Sequence, residues 1–172
     1  MSGSVFFVLA QLSLLAAVAV FLIAAYTDFT TWKIPNRLIF MAVGCYVPYA
    51  LFSQMAGVQN AVEPLGGLAA AALLFVVGFV FWALKLFGAG DAKLFFPVGL
   101  FLGWPLLLPY ALGLIIFAIL FWLALKWPLP PTMRLTAAGV RIDEIRSSGK
   151  VPYGVVMVAA LIACLIMERI SS

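Results

Sequence analysis

Long apolar runs separated by short polar segments are the first pattern in this chain. Apolar residues dominate positions 5–26, 38–55, 65–87 and 151–167. Each run approaches the roughly 20 residues that cross a bilayer core as a helix. No basic residue precedes the run at 5–26, so we interpret it as a retained membrane helix and not as a cleaved signal peptide. The pattern predicts four membrane helices outside residues 92–126.

The apolar stretch 92–126 allows two interpretations. It forms either one long helix kinked at Pro105 or two helices that turn at residues 103–105. Two helices give six spans with the N-terminus outside, and all basic residues except Arg169 then share one side of the membrane. Those residues are Lys33, Arg37, Lys85, Lys93, Lys126, Arg134, Arg141, Arg146 and Lys150. Because basic residues concentrate on the cytoplasmic side, this arrangement favours six spans, although 92–102 would be only about 17 Å long.

The composition excludes a water-soluble globule. Hydrophobic residues make up 66% of the 172 positions and charged residues 9%, whereas a soluble domain carries about a quarter charged residues. So few charges cannot cover a water-exposed surface, and the apolar excess must face lipid. We predict an all-α, polytopic membrane bundle of about six helices that forms a single domain over residues 1–172. The basic cytoplasmic side explains the formal net charge of +4, so no nucleic-acid partner is expected.

Residues 127–150 form a polar stretch on the predicted cytoplasmic side. We favour a solvated loop here, and the alternative is a short amphipathic helix that includes Arg141, Asp143, Glu144 and Arg146.

Metal and redox chemistry have few candidate residues. Histidine is absent, and Cys45 and Cys164 stand alone inside apolar runs, with no CxxC pair. Isolated cysteines in such runs are typical of small residues in a core or against lipid. We therefore expect no metal site, no disulfide and no cofactor.

Two of the six acidic residues differ from the rest. The six are Asp28, Glu63, Asp91, Asp143, Glu144 and Glu168. Asp28 and Asp91 lie at or just beyond the inner ends of apolar runs, where a carboxylate is costly. If packing brings them together they share one proton, and such a pair can activate water and protonate a carbonyl. The alternative is that each Asp pairs with Lys33 or Lys93 as an ordinary helix-end charge.

The residues around both aspartates resemble those of a known family. Residues 88–91, Gly-Ala-Gly-Asp, resemble the GxGD motif of membrane aspartic proteases, and 88–94 resemble the GxGDxKL motif of prepilin peptidases. Asp28 precedes Lys-Ile-Pro-Asn-Arg-Leu at 33–38, which is similar to their first catalytic motif. Residues 151–154, Val-Pro-Tyr-Gly, resemble the signature that begins their last helix. The three motifs occur in the family's order.

This resemblance implies a role for each of these residues. Asp28 and Asp91 would be the catalytic pair, and Gly88, Gly90 and Lys93 would lie near the substrate. The signature residues that we interpret as structural are Pro35, Asn36, Pro152, Tyr153 and Gly154. The reaction would remove the short basic leader of type IV prepilins or pseudopilins, at the cytoplasmic face of the bacterial inner membrane.

The absence of CxxC motifs indicates which branch of the prepilin peptidases this chain resembles. Larger relatives carry paired CxxC motifs and a methyltransferase activity, so this chain resembles the short, methylase-lacking TadV/CpaA-like branch that serves Flp pili. N-methyltransferase activity is then not expected. Archaeal preflagellin peptidases share the catalytic motifs, so the motifs alone do not distinguish the chain from that group. The expected partners are the precursor and membrane lipid, and the oligomeric state stays open.

Two interpretations from other functional classes remain. An ion-coupled carrier would use the two aspartates to bind the ion, and it predicts acids near the bilayer midplane in broken helices. A non-catalytic membrane subunit of a secretion or pilus machine would explain the hydrophobicity but not three motifs in order.

Overall fold

A computed structural model describes residues 2–58, 63–128, 130, 132 and 136–171. Within these residues it is all-helical, with seven bounded helices and no strand. The helices are α1 (Ser2–Thr31), α2 (Asn36–Met55), α3 (Pro64–Ala83), α4 (Ala89–Leu102), α5 (Leu107–Lys126), α6 (Ala137–Ser148) and α7 (Tyr153–Ser171). The predicted all-α membrane bundle is confirmed.

Five of these helices are long and apolar enough to cross a membrane, namely α1, α2, α3, α5 and α7. The predicted division of residues 92–126 is also confirmed, because α4 ends at Leu102 and α5 begins at Leu107. Gly103 ends α4 with a positive φ of 61°, a conformation that glycine adopts without strain. With 14 residues, α4 spans only about 21 Å, so it reaches part of the way through a bilayer core.

Small residues let α4 pack closely against α3. A Cβ atom on Gly99 would clash with the Ala71 backbone, and one on Gly78 would lie 2.7 Å from the Phe95 ring. Glycine at these two positions therefore permits the close backbone approach that is typical of membrane helix pairs.

The core surrounds α4, which contacts α2, α3, α5 and α7. Every side chain of α4 from Leu94 to Leu102 is buried except Phe96. Phe101 makes edge-on contacts with Phe21 of α1 and Tyr46 of α2, with ring centroids 5.7 and 5.4 Å apart. The burial of a short helix among longer ones fixes the position of its N-terminal turn, which carries Asp91.

The favoured solvated loop is wrong for residues 137–148, which form the amphipathic helix α6. The Thr136 hydroxyl accepts a hydrogen bond of 3.1 Å from the Gly139 amide as an N-cap, and Gly149 ends the helix in the left-handed conformation. Ion pairs three residues apart join Arg141 to Glu144 and Arg146 to Asp143. Arg134, one of the predicted cytoplasmic basic residues, lies outside the described residues.

Candidate active site

Asp28 lies in the last turn of α1 with only 5% of its surface exposed. Threonine hydroxyls near the end of this helix donate hydrogen bonds to carbonyls of the preceding turn, as Thr31 does to Thr27 at 2.7 Å. A carboxylate in such a buried position needs hydrogen-bond donors.

Gly154, the second residue of α7, supplies that donor. Its amide donates a hydrogen bond of 2.8 Å to Asp28 Oδ2. A Cβ atom at Gly154 would lie 2.8 Å from the same oxygen and 3.1 Å from Asp28 Cγ, so glycine is what allows this approach. The free amides in the first turn of a helix favour negative charge, and the Gly154 amide is one of them.

Asp91 lies in the first turn of α4 and is only 8% exposed. The amide of Gly88, the residue that caps α4, donates a hydrogen bond of 3.1 Å to Asp91 Oδ2. This carboxylate therefore closes its own helix N-terminus, as the acidic residue of a capping box does. Its Oδ1 atom forms no hydrogen bond with any residue that the structure describes.

The two carboxylates line one open cavity of about 490 Å³ on the membrane face where α1 ends and α4 begins. Its wall is formed by the 32–36 and 88–90 segments together with Lys93. Burial and the neighbouring Asp28 carboxylate raise the pKa of Asp91 to about 7. The Gly154 amide is also close enough to Asp91 to offset part of that effect. The site thus holds two interacting carboxyl groups, which do not both ionise readily.

Comparison with known proteins identifies the family. The type IV leader peptidase family matches residues 15–125, which is more than half of the chain and includes both Asp28 and Asp91. The chain belongs to the type IV leader peptidase family. No curated protein and no solved structure matches it. Membership makes this chain a peptidase, and its candidate spans make it a multi-pass membrane protein.

In this leader peptidase, the lysines do not pair with the aspartates as the alternative interpretation predicted. Lys93 Nζ instead donates a hydrogen bond of 3.1 Å to Asn36 Oδ1, which links the motif of α4 to the start of α2. Within the described part of the chain, neither Asp28 nor Asp91 forms an ion pair. The recorded hydrogen-bond donors to the two carboxylates are the backbone amides of Gly88 and Gly154.

The remaining predicted residues surround the two carboxylates. Pro35 precedes α2 in an extended conformation, and a Cβ atom on Gly90 would lie 3.2 Å from Ile34 Cβ. Glycine at 90 thus lets the 32–35 segment approach α4. The Tyr153 ring packs on Phe87 with centroids 4.5 Å apart, beside buried Pro152. Among the other acids, Asp143 and Glu144 lie on α6 in ion pairs, and Glu63 precedes α3.

Sequence reasoning missed two residues near the cavity and one contact. Trp32 lines the cavity and has a positive φ of 57°, which is uncommon for a bulky residue. Arg141 of α6 reaches the end of α1. Gly154 was singled out only as a structural signature residue, and no local pattern indicates its bond to a carboxylate 126 residues away.

Proposed function

We propose that this chain is an aspartic endopeptidase that removes the short basic leader of type IV prepilins or pseudopilins, with Asp28 and Asp91 as the catalytic pair. One observation carries the proposal: two buried carboxylates from different helices share one cavity, and each accepts a hydrogen bond from a backbone amide. Family membership supports the leader-peptidase class, and the geometry supports these two residues.

The raised pKa of Asp91 supports a different task for each carboxyl group. Asp91 carries the shared proton and donates it to the oxygen of the scissile carbonyl. Asp28 is ionised, held by the Gly154 amide, and takes a proton from the attacking water. The water oxygen adds to the carbonyl carbon to form a tetrahedral diol. Proton transfer to the leaving nitrogen then breaks the C–N bond, and no covalent enzyme intermediate forms.

The cavity has room for an extended peptide beside Gly88 and Gly90. Gly88 is exposed, so a substrate strand can approach its backbone closely, whereas Gly90 packs against the 32–35 segment. Lys33 and Lys93 also line this cavity. Their positive charge opposes a basic leader, and anionic lipid headgroups at the same face would offset that repulsion.

An apolar groove of about 650 Å³ leads away from the site and supports the position of the substrate's membrane segment. Side chains of α3, α4, α5 and α7 line it, and its lining includes Phe87 and Tyr153, which directly precede the amide donors Gly88 and Gly154. We propose that the apolar segment of the precursor lies in this groove, so that its cytoplasmic end reaches the aspartates.

The finer assignments belong to the same proposal. The lack of CxxC pairs supports the short TadV/CpaA-like branch, with an Flp-type prepilin as substrate and no methyltransferase activity. The site faces the cytoplasm from the bacterial inner membrane, because the basic residues near it are typical of cytoplasmic segments. The aspartates lie at helix ends and not in broken helices at the midplane, which speaks against a carrier.

Co-expression with an Flp-type prepilin from the same genome tests the proposal. Precursor mass should show leader removal by the wild-type chain and none by Asp28→Asn or Asp91→Asn at normal membrane levels. Glu63→Gln is the matched control, since Glu63 is exposed and precedes α3. Cleavage by both Asp variants would refute the aspartic mechanism. An intact precursor with the wild-type chain would refute the substrate assignment.

A further inference from the structure

Arg141 connects the cytoplasmic helix α6 to the end of α1 that carries Asp28. Its Nε atom donates a hydrogen bond of 2.5 Å to the Phe29 carbonyl oxygen, across 112 residues of sequence. The carbonyls in the last turn of a helix lack partners within that helix, and a cation is favourable there. Arg141 therefore satisfies a terminal acceptor of α1 one residue beyond Asp28.

The same guanidinium also holds a wall of the cavity. It lies over the Trp32 ring at 4.5 Å from the ring centroid, and Trp32 lines the cavity together with Asp28 and Asp91. Trp32 has a positive φ, which costs of order 1–3 kcal/mol and persists only where the surroundings hold it. Stacking with Arg141 is one interaction that holds it.

The Arg141 guanidinium is bonded to the Phe29 carbonyl, so it places a positive charge one residue along the helix from Asp28. Its side chain is only 12% exposed, so water screens that charge less than it screens a surface arginine. Its ion-pair partner Glu144, at 2.6 Å, is 56% exposed. The other charged groups facing Asp28 across the cavity are Asp91, Lys33 and Lys93, and Lys93 is bonded to Asn36.

Arg146 offers an internal comparison on the same helix. It forms an equivalent ion pair with Asp143 at 3.2 Å and donates to the carbonyl of Trp127, just past the end of α5. Both arginines thus join α6 to the end of a membrane helix, but Arg141 bonds to α1 and stacks on a residue that lines the cavity, whereas Arg146 bonds to the segment after α5. A role in attaching α6 alone would make the two arginines equivalent.

We propose that Arg141 is a positioning residue for the aspartate pair: it fixes the last turn of α1 and the Trp32 wall, and it places a positive charge at the end of the helix that carries Asp28. The inference rests on the proposed function, since it assigns a role within that site. It does not come from the family comparison, because Arg141 lies beyond residues 15–125.

The test compares Arg141→Met with Arg146→Met in the purified full-length protein, with a prepilin as substrate. Leader cleavage is measured as kcat and KM across a pH series. We expect Arg141→Met to lower kcat about tenfold at neutral pH and to move the acid limb of the profile by about one unit to higher pH. The limb moves in this direction because Asp28 ionises less easily without the neighbouring positive charge. Arg146→Met should keep the wild-type profile.

Arg141→Lys separates charge from geometry. It should restore the position of the acid limb but not the full kcat, because an ammonium group does not reproduce the planar contacts of the guanidinium.

If Arg141→Met fails to fold, Glu144→Gln is compared with Asp143→Asn. Removal of the Glu144 charge leaves that of Arg141 less neutralised, so the acid limb should move to lower pH in the first variant only.

The outcomes separate the two proposals. An inactive wild-type enzyme refutes the proposed function itself. An active wild type with identical profiles for Arg141→Met and Arg146→Met refutes the role of Arg141 alone. Unchanged profiles in both Glu144→Gln and Asp143→Asn refute it where Arg141→Met does not fold.

Discussion

The contact between Gly154 and Asp28 allows a quantitative test of how the site is built. Substitution of Gly154 by alanine would place a methyl carbon 2.8 Å from Asp28 Oδ2 and 3.1 Å from its Cγ. An ordinary contact needs about 3.5 Å, so the carboxylate or the first turn of α7 must move by about 0.7 Å. This movement breaks the hydrogen bond of 2.8 Å between the Gly154 amide and Asp28.

The expected loss of activity follows from that bond. A hydrogen bond to a charged group contributes about 1.5–3 kcal/mol. Loss of about 2 kcal/mol from the productive geometry lowers the rate about 30-fold. We therefore expect Gly154→Ala to lower kcat/KM for leader cleavage by about 30-fold while the protein remains folded in the membrane.

The assay measures cleavage by purified protein together with its thermal unfolding midpoint. Gly44→Ala in α2 is the matched control, because a Cβ atom there would meet nothing within 4 Å. That control should cleave at the wild-type rate, since alanine is favoured over glycine in a helix interior. Wild-type activity in Gly154→Ala would refute the reasoning. An unfolding midpoint far below that of Gly44→Ala would assign the loss to stability and not to the carboxylate.

Two further predictions concern the proton and the groove. Since the pKa of Asp91 is raised to about 7, the pair of carboxyl groups loses its shared proton as the pH rises through that value. The cleavage rate should therefore fall on the alkaline side and stay constant on the acid side until Asp28 is protonated. A cleavage rate that stays constant well above pH 7 would contradict this assignment. Ala118→Trp should fill part of the apolar groove and raise KM about tenfold, because Ala118 lines it. Ala124→Trp, on the same helix but outside the groove, should leave KM unchanged. Equal effects of the two substitutions on KM would contradict the proposal that the apolar segment of the precursor binds in the groove.

Much of this architecture follows from the sequence alone. Local apolar composition placed the membrane helices, because the transfer of apolar residues into lipid is favourable. The distribution of basic residues divided residues 92–126 into α4 and α5. Asp28 and Asp91 could be distinguished from the other four acids because each lies at or just beyond the inner end of an apolar run, where a carboxylate is costly. For α6, the local signals were also present, because Thr136 caps its start and Gly149 its end, but the polar composition favoured a loop.

The tertiary structure decided which groups meet at the site. The Gly154 amide reaches Asp28 across 126 residues, and Arg141 reaches Phe29 across 112, so neither contact leaves a local pattern. The first contact joins α7 to α1 and the second joins α6 to α1, so both depend on how separate helices pack together. Helix formation is governed by interactions a few residues apart, whereas the environment of a buried carboxylate is set by neighbours that only packing brings within hydrogen-bond distance.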